Sequence, residues 1–276
     1  MLKLRVITAI VLVVVLLAAL FLLPPLGWAL LVVLMVMQGT SEWSRLAGLS
    51  GARANLYWGL TLVLMLGLLW LDADATETAR RYVHLAIYTI SAFLWLIVVP
   101  SWLIVGWKVK NPVWMALTGW AVLIPTGVAM MDLREAAPGP WVLLFVMGLV
   151  WAADIAAYFA GRRFGKNKLA PSISPGKTWE GVGGAMVGVS VYVVLVWWLS
   201  PYFATRGILP PLLLASWWWV ALAVIGDLFE SAIKRQAGVK DSGALLPGHG
   251  GLLDRIDALT STLPLAAFVL LSQVVA

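Results

Sequence analysis

"WVLLFVMGLVWAADIAAYFA", residues 141–160, decides the fold class, because twenty consecutive residues carry one charged side chain, Asp154. A helix rises about 1.5 Å per residue, so roughly 20 apolar residues cross the hydrocarbon core of a bilayer. The stretch is continuous rather than alternating, which favours a membrane helix over a barrel strand. Similar runs recur along the 276 residues, of which 62% are hydrophobic and only 12% charged; mean hydropathy is +0.95. A water-soluble domain of this length would carry far more charge. In lipid, every backbone polar group must pair within a helix or a closed barrel. The sequence therefore predicts an all-α, polytopic integral membrane protein.

Nine spans are predicted, at residues 6–23, 26–37, 56–71, 82–106, 113–131, 141–160, 182–199, 208–225 and 258–276. Pro24 and Pro25 separate the first two, which form a tight hairpin or one broken unit. Pro100 and Pro125 lie inside spans and are expected to kink them, which neighbouring helices tolerate in a membrane. Residues 1–23 resemble a signal peptide, with Lys3 and Arg5 before an apolar core, but no small-residue cleavage pattern follows. They are expected to remain as the first span. No linker or repeat divides the chain, so residues 1–276 form one membrane domain. Its N-terminal helices occupy residues 1–131 and its catalytic part residues 141–276.

Loops facing the cytoplasm carry the excess of lysine and arginine. With the N-terminus inside and the spans alternating, the outer segments hold only Arg80, Arg81, Arg134 and Arg206 of the 19 basic residues. The loops at 161–181 and 226–257 are then cytoplasmic, where nucleotides and Mg²⁺ are available. They also gather acids: with Asp154 at the mouth of the first, they hold Glu180, Asp227, Glu230, Asp241, Asp254 and Asp257. Carboxylates contribute little to orientation, so their concentration needs another cause. Asp154 and Asp227 fall at the ends of apolar spans, where an ionised group is costly and usually functional. A divalent cation would relieve their repulsion, and Mg²⁺ completes its shell with waters and substrate phosphates. Interleaved lysines and arginines suit a polyphosphate held by both metal and protein. The absence of cysteine excludes disulfides, thiolate metal sites and cysteine nucleophiles. A pI near 9.7 reports topology and anionic headgroups here rather than nucleic acid.

In "KDSGALLPGHGGLLDRID", residues 240–257, the glycines at 243, 248, 250 and 251 permit tight turns and close approach of the backbone to phosphate oxygens. On a helix starting near Leu252, Asp254 and Asp257 share a face and Arg255 turns away from Asp257. Glu230 and Lys234, four apart, form either a surface ion pair or two contacts to one ligand.

Together, "SAIKRQAGVKDSGALLPGHGGLLDRID" at residues 231–257 resembles the signature of the phosphatidate cytidylyltransferase, or CDP-diacylglycerol synthase, family. "DIAAYFAGRRFGKNKLAPSISPGKTWEG" at residues 154–181 is similar to a second block of it. The two cover about a fifth of the chain. The resemblance implies that CTP and phosphatidic acid give CDP-diacylglycerol and pyrophosphate, in the bacterial inner membrane with the site on its cytoplasmic side. It implies Asp227 and Asp254 as the first metal ligands for Mg²⁺, with Asp257 and Asp154 next as ligands or supports; a second cation, monovalent or divalent, stays open. Lys234, Arg235, Lys240 and Arg255 would grip phosphates. Ser174, Lys177 and Thr178 would form another phosphate cradle, with Pro175 and Gly176 bending the backbone. Ser231, Asp241 and His249 complete the substrate-binding set, His249 being either a turn residue or a contact to substrate.

Expected partners are CTP, phosphatidic acid and membrane lipids, with a homodimer left open and no nucleic acid. A CDP-alcohol phosphotransferase would carry an Asp-Gly-x-x-Ala-Arg motif, which is absent. A transporter would place its ionisable groups near the midplane. His84 reads as interfacial packing, the arginines and lysines at 162, 163, 166 and 168 as topology anchors, and Glu180 as a partner of Lys177 or of a metal. The 17 tryptophans read as an interfacial belt.

Overall fold

A computed structural model describes residues 2–200, 208–245, 248 and 250–273, with backbone alone for residues 2–7 and 273. Arg206, His249 and residues 274–276 lie outside these. The chain runs through α1 (Leu2–Leu22), α2 (Pro25–Leu46), α3 (Gly51–Asp74), α4 (Glu77–Phe93), α5 (Val99–Val105), α6 (Pro112–Glu135) and α7 (Pro140–Phe164). Then follow β1 (Lys168–Ala170), β2 (Ser174–Thr178), α8 (Trp179–Leu199), α9 (Leu209–Gln236) and α10 (Leu253–Gln273). Among the described residues, eight helices are long and apolar enough to cross a membrane, counting Glu77–Val105 as one; a ninth apolar stretch, Thr8–Leu22, is shorter. The protein is an integral membrane protein.

The prolines act as their missing N–H groups dictate. Pro24 precedes α2 and Pro25 opens it, which costs no helical hydrogen bond. The first two spans are thus separate helices. Before Pro100, the turn Leu94–Val98 widens to a π-helix in which Val99 N bonds Leu94 O, making room for the ring. Pro125 stays inside α6, which continues through it.

Two helices run past the apolar stretches that define them. α2 continues from Met37 to Leu46, and α9 from Ile225 to Gln236. The added turns are polar, yet Thr40, Glu42, Glu230 and Lys234 are buried, so their partners are protein rather than lipid. α10 packs against α9, α6, α4 and α7, while α2 lies on α6 and α3. α7 and α8 approach closely over small residues. A Cβ on Gly184 would lie 2.2 Å from that of Ala160, and one on Gly188 2.3 Å from that of Ala156.

The described loops divide between the two ends as alternating spans require. At one end Gln236 bonds both Val109 N (3.0 Å) and Val109 O (2.7 Å), Arg45 reaches Ser242 O (3.3 Å), and Arg235 reaches Ile173 O (3.4 Å). At the other, Arg134 donates to Leu20 O (2.9 Å) and to Leu23 O. His84 also belongs to this other end, and the packing role expected for it is corrected. It is 3% exposed and lies between carboxylates, Asp72 at 3.0 Å and Asp132 at 2.9 Å, with Tyr88 donating to Asp132 at 2.6 Å. The ends of α3 and α6 converge there, and a buried imidazole between two acids is a clamp across three helices.

The segment at 161–181 is not a plain loop. β1 and β2 pair antiparallel, Lys168 with Thr178 and Ala170 with Ser174, with an irregularity between. Pro175 and Gly176 sit in that bulged part of β2, consistent with a strand that carries no neighbour on its other side.

Candidate active site

The site forms where α9 and α10 cross. A Cβ on Gly226 would meet Ser261 Oγ at 2.6 Å and Asp257 O at 2.8 Å, so only glycine lets the two backbones meet here. The contact sets Asp227, the next residue of α9, beside the first turns of α10. Along α9, Asp227, Glu230, Ser231 and Lys234 recur every three or four residues and share a face. Ser231 Oγ donates to Asp227 Oδ1 at 3.3 Å. Lys234 Nζ is 2.6 Å from Asp254 Oδ1 and 3.2 Å from Glu230 Oε1. The Glu230–Lys234 pair is therefore a buried ion pair that also reaches across to α10.

Asp254 has little freedom. Its Oδ2 accepts from Ser242 N (2.9 Å) and Gly251 N (2.8 Å) and shares the one Ser242 hydroxyl proton, 3.0 Å away, with Glu42, while Oδ1 takes the lysine. The glycines of the sequence signature answer to this carboxylate: Gly250 has φ +80°, and a Cβ there would sit 2.5 Å from Asp254 Oδ2. Asp257 is half-buried, and among the described residues its Oδ1 accepts from Ala258 N alone, at 2.8 Å. It lies within electrostatic reach of Asp227, Glu230 and Asp154.

Two cavities meet at this crossing. A polar one of about 360 Å³ is lined by Asp154, Asp227, Ser231, Lys234, Arg235, Lys240, Asp241, Asp254, Arg255 and Asp257. These ten residues were all selected by the sequence, and Asp227 and Asp254 face one space. The second, about 490 Å³, lies between α7, α8, β2 and α9; Ala153, Ala157, Gly181 and Ala185 give it a small-residue wall, and Ser174, Lys177 and Thr178 border it. Asp154 and Asp227 belong to both. Lys177 Nζ stands 2.5 Å from Asp227 Oδ2, at the junction. Thr178 is buried, and its hydroxyl accepts from Gly181 N at 3.1 Å, capping α8. His249 lies outside the described residues.

Glu180 departs from expectation. It accepts from Asn167 N (3.1 and 3.2 Å) and Asn167 Nδ2 (2.7 Å), fastening the base of the hairpin. That frees Lys177 to reach Asp227 instead.

One residue of this assembly escaped the sequence. Glu42 of α2 is 0% exposed and accepts from Leu252 N and Leu253 N, each at 2.9 Å, and from Ser242 Oγ at 2.8 Å. The signal was the polar run "QGTSEWSR", residues 38–45, where an apolar span ends in residues that a solvated turn would not bury.

The donors have the chemistry of a hard-cation site, but among the described residues no group of three or more such side chains is arranged to hold a metal ion by itself, so an ion here would need substrate oxygens and water to complete its shell. Asp154, Asp227, Asp254 and Asp257 offer oxygen alone, and among the described residues neither Asp154 nor Asp257 has an ion pair within 4.0 Å. Oxygen donors without nitrogen or sulfur suit Mg²⁺ rather than zinc.

The profile of the cytidylyltransferase family matches residues 3–273. The chain belongs to that family. Within the family, it is 37% identical to the phosphatidate cytidylyltransferase of Haemophilus influenzae, over 97% of this chain and 98% of that one. It is 40% identical to the phosphatidate cytidylyltransferase of Pseudomonas aeruginosa, over 98% of this chain and 97% of that one.

Proposed function

We propose that the protein transfers the cytidylyl group of CTP to phosphatidic acid, giving CDP-diacylglycerol and pyrophosphate. One observation carries the reading: the polar cavity and the small-residue groove share Asp154 and Asp227. The polar cavity takes the nucleotide triphosphate. The groove takes the lipid phosphate, whose acyl chains stay between apolar helices.

An oxygen of the lipid phosphate attacks the α-phosphorus of CTP. One phosphoanhydride bond forms between them, and the bond to the β-phosphate breaks, its electron pair leaving with pyrophosphate. The attacking phosphate is already ionised, so no protein base or nucleophile is required. The difficulty is charge, since two anions meet and a third departs. Lys234, Arg235, Lys240 and Arg255 line the nucleotide side, and Lys177 stands at the junction, where cations fixed in advance stabilise charge that develops in the transition state. Asp227, Asp257 and Asp154 would hold Mg²⁺, with Asp254 beside them, its carboxylate engaged by Lys234, Ser242 and Gly251. Bound there, the ion neutralises the triphosphate and stabilises the leaving pyrophosphate.

The basic residues clustered at this end favour a cytoplasmic site, and the bacterial relatives favour the inner membrane. Purified protein in detergent, supplied with phosphatidic acid and each nucleoside triphosphate in turn, tests the reaction by pyrophosphate release. CTP is expected to give pyrophosphate only when the lipid is present. Release without phosphatidic acid, or none with CTP, contradicts the reading.

A further inference from the structure

Glu42 does not line either cavity, yet it holds the segment that forms one side of the polar one. Its Oε1 accepts from Leu252 N and from Gln38 Nε2, each at 2.9 Å. Its Oε2 accepts from Leu253 N at 2.9 Å and Ser242 Oγ at 2.8 Å. Leu253 opens α10, so a buried carboxylate from α2 takes backbone donors that have no partner within the helix, at the positive end of its dipole. The fit is close. A Cβ on Gly251 would lie 2.3 Å from Glu42 Oε2, and one on Gly243 3.0 Å from Oε1. Asp254 grips the same backbone from its other side, through Ser242 N and Gly251 N.

We propose that Glu42 is a positioning residue, which sets residues 240–243, residues 251–252 and the first turn of α10 in the register that turns Lys240, Asp241, Asp254, Arg255 and Asp257 into the polar cavity. The residues that flank the clamped backbone, Lys240, Asp241, Asp254, Arg255 and Asp257, line that cavity. The groove is lined from α7, the hairpin, α8 and α9, with no described residue of the loop or of α10. Disturbing Glu42 therefore affects the nucleotide side and leaves the lipid side alone, a consequence that rests on the assignment of the two cavities above. The carboxylate itself is required. Leu252 N and Leu253 N address different oxygens, and a glutamine has one acceptor oxygen, so its NH₂ would face an N–H.

The test is Glu42→Gln in the full chain, purified in detergent. The KM for CTP is expected to rise and kcat to fall, each by about tenfold or more, as loss of a hydrogen bond to a charged group implies. The KM for phosphatidic acid should stay within about twofold and the melting temperature within a few degrees. Amide exchange should accelerate in residues 240–257 and not in α7 or α8. Kinetics within twofold of the parent overturn the proposal, and so does a loss in which both KM values and the melting temperature move together. If the KM for phosphatidic acid rises instead of that for CTP, Glu42 still positions the loop, and the cavity assignment is what fails. Should Glu42→Gln not fold, Gly251→Ala presses on the same carboxylate and is expected to show the same split; parent-like kinetics in that variant overturn the proposal. Gln38→Ala leaves both backbone donors on Glu42 and should keep parent kinetics, whereas an equal loss there overturns the clamp.

Discussion

Lys234 Nζ and Asp254 Oδ1 lie 2.6 Å apart, joining the last turns of α9 to the first turn of α10. Glu230 stands on the other side of the lysine at 3.2 Å, so one cation serves two carboxylates, all three largely buried. Attraction between such groups about offsets the cost of removing them from water, but taking away one partner leaves the rest uncompensated.

Lys234→Met should therefore destabilise the protein by about 3–5 kcal/mol and abolish activity. Adding Glu230→Gln to it should recover part of the stability and none of the activity. Thermal melting in detergent beside pyrophosphate release checks both, and an active Lys234→Met would contradict the role of the lysine.

Asp257 behaves differently, because it has no cation within 4.0 Å among the described residues. Asp257→Asn removes one negative charge from a group of four. Its melting temperature should hold or rise by a few degrees while activity falls about a hundredfold or more, the pattern of a carboxylate kept for function at a cost in stability. A large drop in melting temperature would instead mark it as structural.

Gly226→Leu should force α9 and α10 apart, since even a Cβ would lie 2.6 Å from Ser261 Oγ. Overpacking of this kind costs about 1–3 kcal/mol, and the separation of Asp227 from Asp257 should remove activity in the protein that remains folded. Activity per folded molecule equal to the parent would show that the close crossing does not set the site.

The metal assignment predicts that excess EDTA stops CTP-dependent lipid formation and that Mg²⁺ restores it. Asp227→Asn should remain inactive at any Mg²⁺ concentration, since it lacks one of the two carboxylates common to both cavities. Full turnover in chelator would remove the metal from the account.

Much of this was readable in advance because hydropathy and local spacing are local properties. The apolar runs gave the spans, and the signature between residues 231 and 257 named eight side chains that line one cavity, joined there by Asp154 and Asp227 from outside it. What escaped was long-range or buried. Glu42 contacts backbone 210 and 211 residues away, and the polar run around it marks the end of the apolar span without naming those partners. His84 looked interfacial because its partners, Asp72 and Asp132, lie on other helices. Strands of three and five residues are too short for alternation to register, and the Pro-Gly pair expected to bend the backbone lies in the irregular part of a strand.

The most direct measurement is a structure of the protein with Mn²⁺ in place of Mg²⁺ and a non-hydrolysable CTP analogue, read by anomalous scattering. The account predicts a manganese peak against the carboxylates of Asp227 and Asp257, with the triphosphate among Lys234, Arg235, Lys240 and Arg255. Manganese bound elsewhere, or a triphosphate lodged in the small-residue groove beside Ala157 and Ala185, would contradict it.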